Sequence, residues 1–168
     1  MRISANGAIK ATVDGGFFAY RPTATTTATL IAGYSNVTGT EIVQFIVRTN
    51  GDVESRTNSY GAISDIKLKE NVSDAASQWN DIKSLTVRKF NLIGDSTAQI
   101  GLIAQEVELV SPGLVTESPD RDENGNDLGT ATKSVKYSVL YMKAVKALQE
   151  AMERIETLEQ RLNDAGIA

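Results

Sequence analysis

Residues 138–165 read SVLYMKAVKALQEAMERIETLEQRLNDA. Tyr141, Ala144, Leu148, Ala151, Ile155, Leu158, Leu162 and Ala165 advance by alternating steps of three and four. That spacing is a heptad seam on one long helix, with small residues at several seam positions. Gly166 supplies the stop. Glu150-Arg154, Glu153-Thr157 and Glu156-Gln160 place polar side chains at i,i+4, and they are expected on the outer faces. Val139, Leu140, Met142 and Val145 broaden the apolar face in the first half, so that half also fits docking on its own domain. From Ile155 onward the seam is narrow and self-association fits better. An Ile and Leu seam mixed with alanine permits two, three or four strands.

The chain before this helix has two textures. Residues 1–63 are rich in Thr, Gly, Val, Ile, Asn and aromatics. Ile3, Ile9, Val13 and Phe17-Phe18 lie in short runs broken by Asn6-Gly7 and Asp14-Gly15-Gly16. Arg21 to Thr29 is a Thr/Ala tract without a period. Glu41 to Arg48 reads as a strand, Asn50-Gly51 as a turn, and Val53 as the centre of a shorter strand. Short strands with so little apolar residue hardly build a core within one chain. The segment reads as the end of a β-rich stalk, one third of an intertwined fibre. An ordinary small β-domain is the alternative.

Residues 64–136 read as a mixed α+β module. Val72, Ala75, Ala76, Trp79, Ile82 and Leu85 share one helical face, with Ser73 and Asp74 as caps. Thr86 to Leu92 reads as a strand, Asp95-Ser96 as a turn, Gln99 to Ala104 as a second strand, and Gln105 to Val110 as a short helix ended by Ser111-Pro112-Gly113. Leu114 to Thr116 is a short strand, Glu117 to Thr130 a polar loop or hairpin tip, and Lys133 to Tyr137 a strand. The expected architecture is therefore α+β: a β-rich fibre segment over 1–63, then a module over 64–168 that ends in a coiled-coil helix at 138–165.

The chain of 168 residues has no His and no Cys and a formal net charge of −4. Thiolate and imidazole metal sites are thereby excluded, and no cofactor is expected. Asp120 to Asp127 has the composition of a calcium loop but lacks the closing Glu. No basic patch points to nucleic acid. No apolar run is long enough to span a membrane, and the N-terminus lacks the apolar segment of a signal peptide.

Without imidazole or thiol, nucleophilic chemistry must use a hydroxyl with another base. Ser64 and Lys69 stand five residues apart in Ser64-Asp65-Ile66-Lys67-Leu68-Lys69-Glu70-Asn71-Val72. A neutral lysine amine serves as base when burial or a nearby cation pulls it well below its ordinary value of about 10.4. The bland reading is a capping serine and a solvated lysine.

Three ordered motifs change that balance: Ser64 to Val72, Ile100-Gly101-Leu102-Ile103-Ala104-Gln105-Glu106-Val107, and Val135-Lys136-Tyr137-Ser138-Val139-Leu140. Together residues 64–168 resemble the intramolecular chaperone domain of the peptidase S74 family, which ends many bacteriophage tail spikes and fibres, endosialidase tailspikes included. Family members commonly carry Arg at the position of Lys67. The resemblance implies a homotrimer that guides folding of the upstream fibre segment of its own chain and then cuts itself off. It implies a virion protein whose chaperone part is released in the host cytoplasm, with no nucleic-acid or membrane partner. It assigns Ser64 as nucleophile, Lys69 as base, and the bond between Ile63 and Ser64 as the target. Asp65, Gln105 and Glu106 are candidate supporting residues. Asp65 either orients Lys69 or caps the next turn. Gln105 either donates to an oxyanion or, with Glu106, caps the short helix. Two other functions stay open: a structural trimeric fibre end that does not cut, and a receptor-binding tip using the 117–130 loop or the β-region.

Overall fold

The structure is a computed structural model that describes residues 2–3, 9–10, 28–35, 39–122 and 124–167. The chain divides into two compact units, Met1–Glu70 and Asn71–Ala168. It is a mixed α+β protein, with three α-helices among the described residues.

In the first unit, β1 (Arg2–Ile3) pairs antiparallel with β2 (Ile9–Lys10). A separate antiparallel meander joins β3 (Thr29–Ser35), β4 (Ile42–Arg48) and β5 (Val53–Ser55). The β4 and β5 strands and the turn between them match the sequence reading. Gly51 holds φ +91°, the left-handed conformation such a tight turn requires. The sequence reading did not assign β3, in which Gly33 interrupts the run of Leu30, Ile31 and Tyr34. Its partner supplies what it lacks. Gly33 faces Phe45 across the ladder, and a Cβ at Gly33 would lie 2.5 Å from Phe45 Cε1. The aromatic ring thus covers the bare glycine backbone. None of the described residues from 28 to 70 is buried, and Tyr34, Val43, Phe45 and Val53 are exposed. The expectations for Val13, Phe17-Phe18 and residues 21–27 fall outside the described residues.

The second unit contains α1 (Trp79–Ser84), a hairpin of β6 (Arg88–Phe90) and β7 (Gln99–Gly101), and α2 (Ala104–Val110). A hairpin of β8 (Val115–Arg121) and β9 (Asp127–Val135) follows, then α3 (Tyr137–Asp164). Val107 of α2 and Leu114 of the 3-10 turn Pro112–Leu114 are its fully buried side chains. Ala147 of α3 is buried too.

Several expectations for this unit need correction. The helix expected over Val72–Leu85 is only α1. Asn71 holds φ +54°, Val72 is exposed, and Ser73 and Asp74 cap nothing. The helix starts where Glu150 of α3 accepts from the Gln78 backbone N–H at 2.9 Å and from Ser77 Oγ at 2.7 Å. A carboxylate from 72 residues away thus does the capping. Residues 117–130 are mostly strand. The tip is a turn in which Asp122 accepts from the backbone N–H groups of Asn124 and Asn126, both at 2.9 Å. The turn near Asp95 sits slightly earlier than expected, with Asp95 N–H bonded to Leu92 O and Gly94 at φ +85°.

The long helix runs one residue ahead of its expected span. It ends in a Schellman motif, with Gly166 N–H on Asn163 O, Ile167 N–H on Leu162 O, and Gly166 at φ +69°. Glu150 and Arg154, expected on its outer face, instead turn toward α1. Arg154 lies over the Trp79 ring at 3.9 Å, and Lys143 reaches Asp81 at 2.7 Å and Gln78. No helix among the described residues is long and apolar enough to cross a membrane.

Candidate functional site

Ser64, Asp65 and Lys69 belong to one short turn in the first unit. Asp65 is the N-cap of the 3-10 turn Ile66–Leu68, and its carboxylate accepts from Lys67 N–H at 3.0 Å. Leu68 N–H bonds to Asp65 O, and Lys69 N–H to Ile66 O. The backbone then returns to an extended conformation at Lys69. This tight winding brings a side chain five residues on back to its start. Lys69 Nζ donates to Ser64 Oγ at 2.6 Å. The Lys67 ammonium sits 3.3 Å from Asp65 Oδ2, a point-charge contact. Ile63 is 88% exposed.

An amine and a hydroxyl at this distance are placed for proton transfer between them. The direction depends on the state of the amine, because an ammonium can only donate. Ser64 and Lys69 are both exposed in the single chain. Removing water from around a lysine favours its neutral form. The intrachain geometry therefore supplies proximity, and desolvation has to come from elsewhere.

Gln105 and Glu106 lie on α2 in the second unit. Neither caps that helix; Ile103 is its N-cap, with no side-chain cap bond. Glu106 instead accepts both arms of Arg88 from β6, at 3.0 and 2.8 Å, and this pairing holds its carboxyl below the ordinary range. Gln105 is exposed. Sequence reading missed the roles of Arg88, Lys143 and Glu150. Their partners are 18 to 73 residues away, and no local spacing signals them. Among the described residues no cluster of three or more acidic side chains is placed to hold a metal ion.

Residues 64–116 match the family model Peptidase_S74, described as chaperone of endosialidase. The match begins at Ser64 and takes in the run from Ser64 to Val72 and the run from Ile100 to Val107. The third motif, Val135 to Leu140, lies beyond it. The recognition made from the sequence is thus supported over this segment, and a chaperone role with it. No curated protein matches the chain.

Proposed function

We propose that residues 64–168 form a C-terminal intramolecular chaperone of a phage tail fibre or spike. It assembles as a homotrimer, guides folding of the preceding β-rich segment, and then releases itself by cutting between Ile63 and Ser64. The observation that carries this reading is the 2.6 Å contact between Lys69 Nζ and Ser64 Oγ at the first residues of the matched segment.

The reaction proceeds in two stages. Neutral Lys69 takes the Ser64 hydroxyl proton as Oγ attacks the Ile63 carbonyl carbon. The Ile63–Ser64 C–N bond then breaks, and Lys69 returns the proton to the departing Ser64 amine. An ester now links Ile63 to Ser64 Oγ. Water hydrolyses it, leaving an Ile63 carboxylate and a free Ser64 amine on the chaperone. The substrate is part of the same chain, so orientation is the main barrier. Assembly of three chains around the exposed turn would exclude water from Lys69 and produce the base. Cutting would then wait for a completed trimer.

Intact-mass analysis of the purified chain tests the reading. Fragments ending at Ile63 and starting at Ser64 are expected from the wild type, and none from Ser64→Ala or Lys69→Ala. Native mass gives the assembly state. A wild type that stays whole as a trimer would reduce the role to a scaffold. Fragments of unchanged yield from either variant would remove Ser64 and Lys69 from the chemistry.

A further inference from the structure

The α3 helix presents an apolar stripe and two oppositely charged flanks. With Ile155 and Leu162 at heptad position a and Leu158 at d, the three stripe residues are 54%, 46% and 55% exposed. Arg154 and Arg161 then fall at position g, on one side of the seam, and Glu159 at position e, on the other. Among the described residues none of these three makes an intrachain ion pair. Further up the helix, α1 covers the g side, where Ala147 is buried, and leaves Leu148 60% exposed at position a.

In a parallel, in-register coiled coil, a g residue meets the e residue five positions on in the neighbouring helix. Five positions beyond Arg154 is Glu159. In a ring, each copy offers its basic flank to one neighbour and its acidic flank to the other, so every such contact pairs opposite charges. An antiparallel pair would bring g against g and set arginine against arginine. Arg154 is also held in advance. Its guanidinium lies over the Trp79 ring at 3.9 Å, and stacking uses the face of that group. The N–H donors at its edge stay free for a carboxylate.

We infer that α3 associates with α3 of a second copy, parallel and in register, with Arg154 bound to the partner's Glu159 and positioned for it by Trp79. This rests on the self-assembly proposed above and supplies its contact and its direction.

Sedimentation equilibrium and native mass on the full chain carrying Ser64→Ala, which keeps it whole, provide the test. R154E and E159R should each weaken association by at least about tenfold, since every neighbouring pair turns repulsive. The double reversal R154E/E159R should recover most of that loss. E159R leaves the Arg154–Trp79 contact untouched, so agreement between the two single variants separates the interchain pair from local packing. The wild-type chain has no cysteine. Ala165→Cys should therefore give a disulfide between copies only when the helices run parallel and in register. An assembling wild type whose double reversal is as weak as the singles, whose single reversals have no effect, or whose Ala165→Cys chains do not cross-link overturns the pairing and leaves self-assembly standing. A wild type that is monomeric at all concentrations overturns both.

Discussion

Asp65 illustrates how much a single capping carboxylate does at the candidate site. Its bond to Lys67 N–H closes the turn that returns Lys69 to Ser64. Losing such a cap costs about 1 kcal/mol. If that loss falls on the reactive geometry, Asp65→Ala should cut about fivefold more slowly. Asp65→Asn keeps the acceptor and should restore the rate, measured as fragment yield over time. Equal rates in all three proteins would limit Asp65 to local structure. Lys69→Arg asks a sharper question. Arginine keeps the charge and can donate to Ser64, but it does not give up its proton. Its cutting rate should fall by about 10² to 10⁴-fold, the contribution of a general base. A rate near wild type would show that a cation, rather than a proton acceptor, is what the serine needs.

At the scale of elements, the short helix α1 depends on its neighbour. Six residues are too few to hold a helix in water, and the Gln78 backbone N–H at its start is met by Glu150 of α3. Lys143, bonded to Asp81, holds that carboxyl below its ordinary range, with the Ser111 side chain adding to the effect. The Gln78 backbone N–H and the Ser77 hydroxyl do the same for Glu150. A carboxyl depressed in the folded state stabilises it above the unfolded value, and that contribution is lost as pH falls. The docking of α1 on α3 should therefore hold above about pH 5 and weaken progressively below about pH 4. Trp79 is the chain's one tryptophan and lies under Arg154, so its fluorescence reports the event. An emission spectrum unchanged down to pH 2 would contradict this. Leu114, in the 3-10 turn between α2 and β8, is 0% exposed. Leu114→Ala should cost the second unit about 2 to 5 kcal/mol in urea unfolding.

For the whole molecule, the quantity that tests the proposal is the coupling between assembly and cutting. The turn with Ser64 and Lys69 is formed within one chain but open to water. If neighbouring chains provide the missing desolvation, the rate of cutting should rise steeply with protein concentration through the range where the assembly forms. A rate constant unchanged from dilute monomer upward would separate the two events and remove assembly as the trigger. The same coupling would suit a strand-bearing segment with no buried residue among those described from 28 to 70. Polar, Thr-rich pairings slip register easily, and strands from neighbouring chains would add the burial that the described residues lack. A module that aligns three chains first, and leaves only afterwards, would address both problems.

Local chemistry made much of this protein readable in advance. The heptad run gave the long helix to within a residue at its start, and Gly166 its end, because both signals lie within a few turns of backbone. The β4 strand, the Asn50-Gly51 turn, α2 and the spacing of Ser64 from Lys69 were legible for the same reason. The β3 strand was not, since Gly33 breaks its local pattern and the ring that covers that glycine, Phe45, comes from β4. Nor was the true start of α1, whose cap comes from Glu150, or the tie of Glu106 to Arg88. In each of these the deciding partner is distant along the chain, and only folding brings it within hydrogen-bonding or packing range.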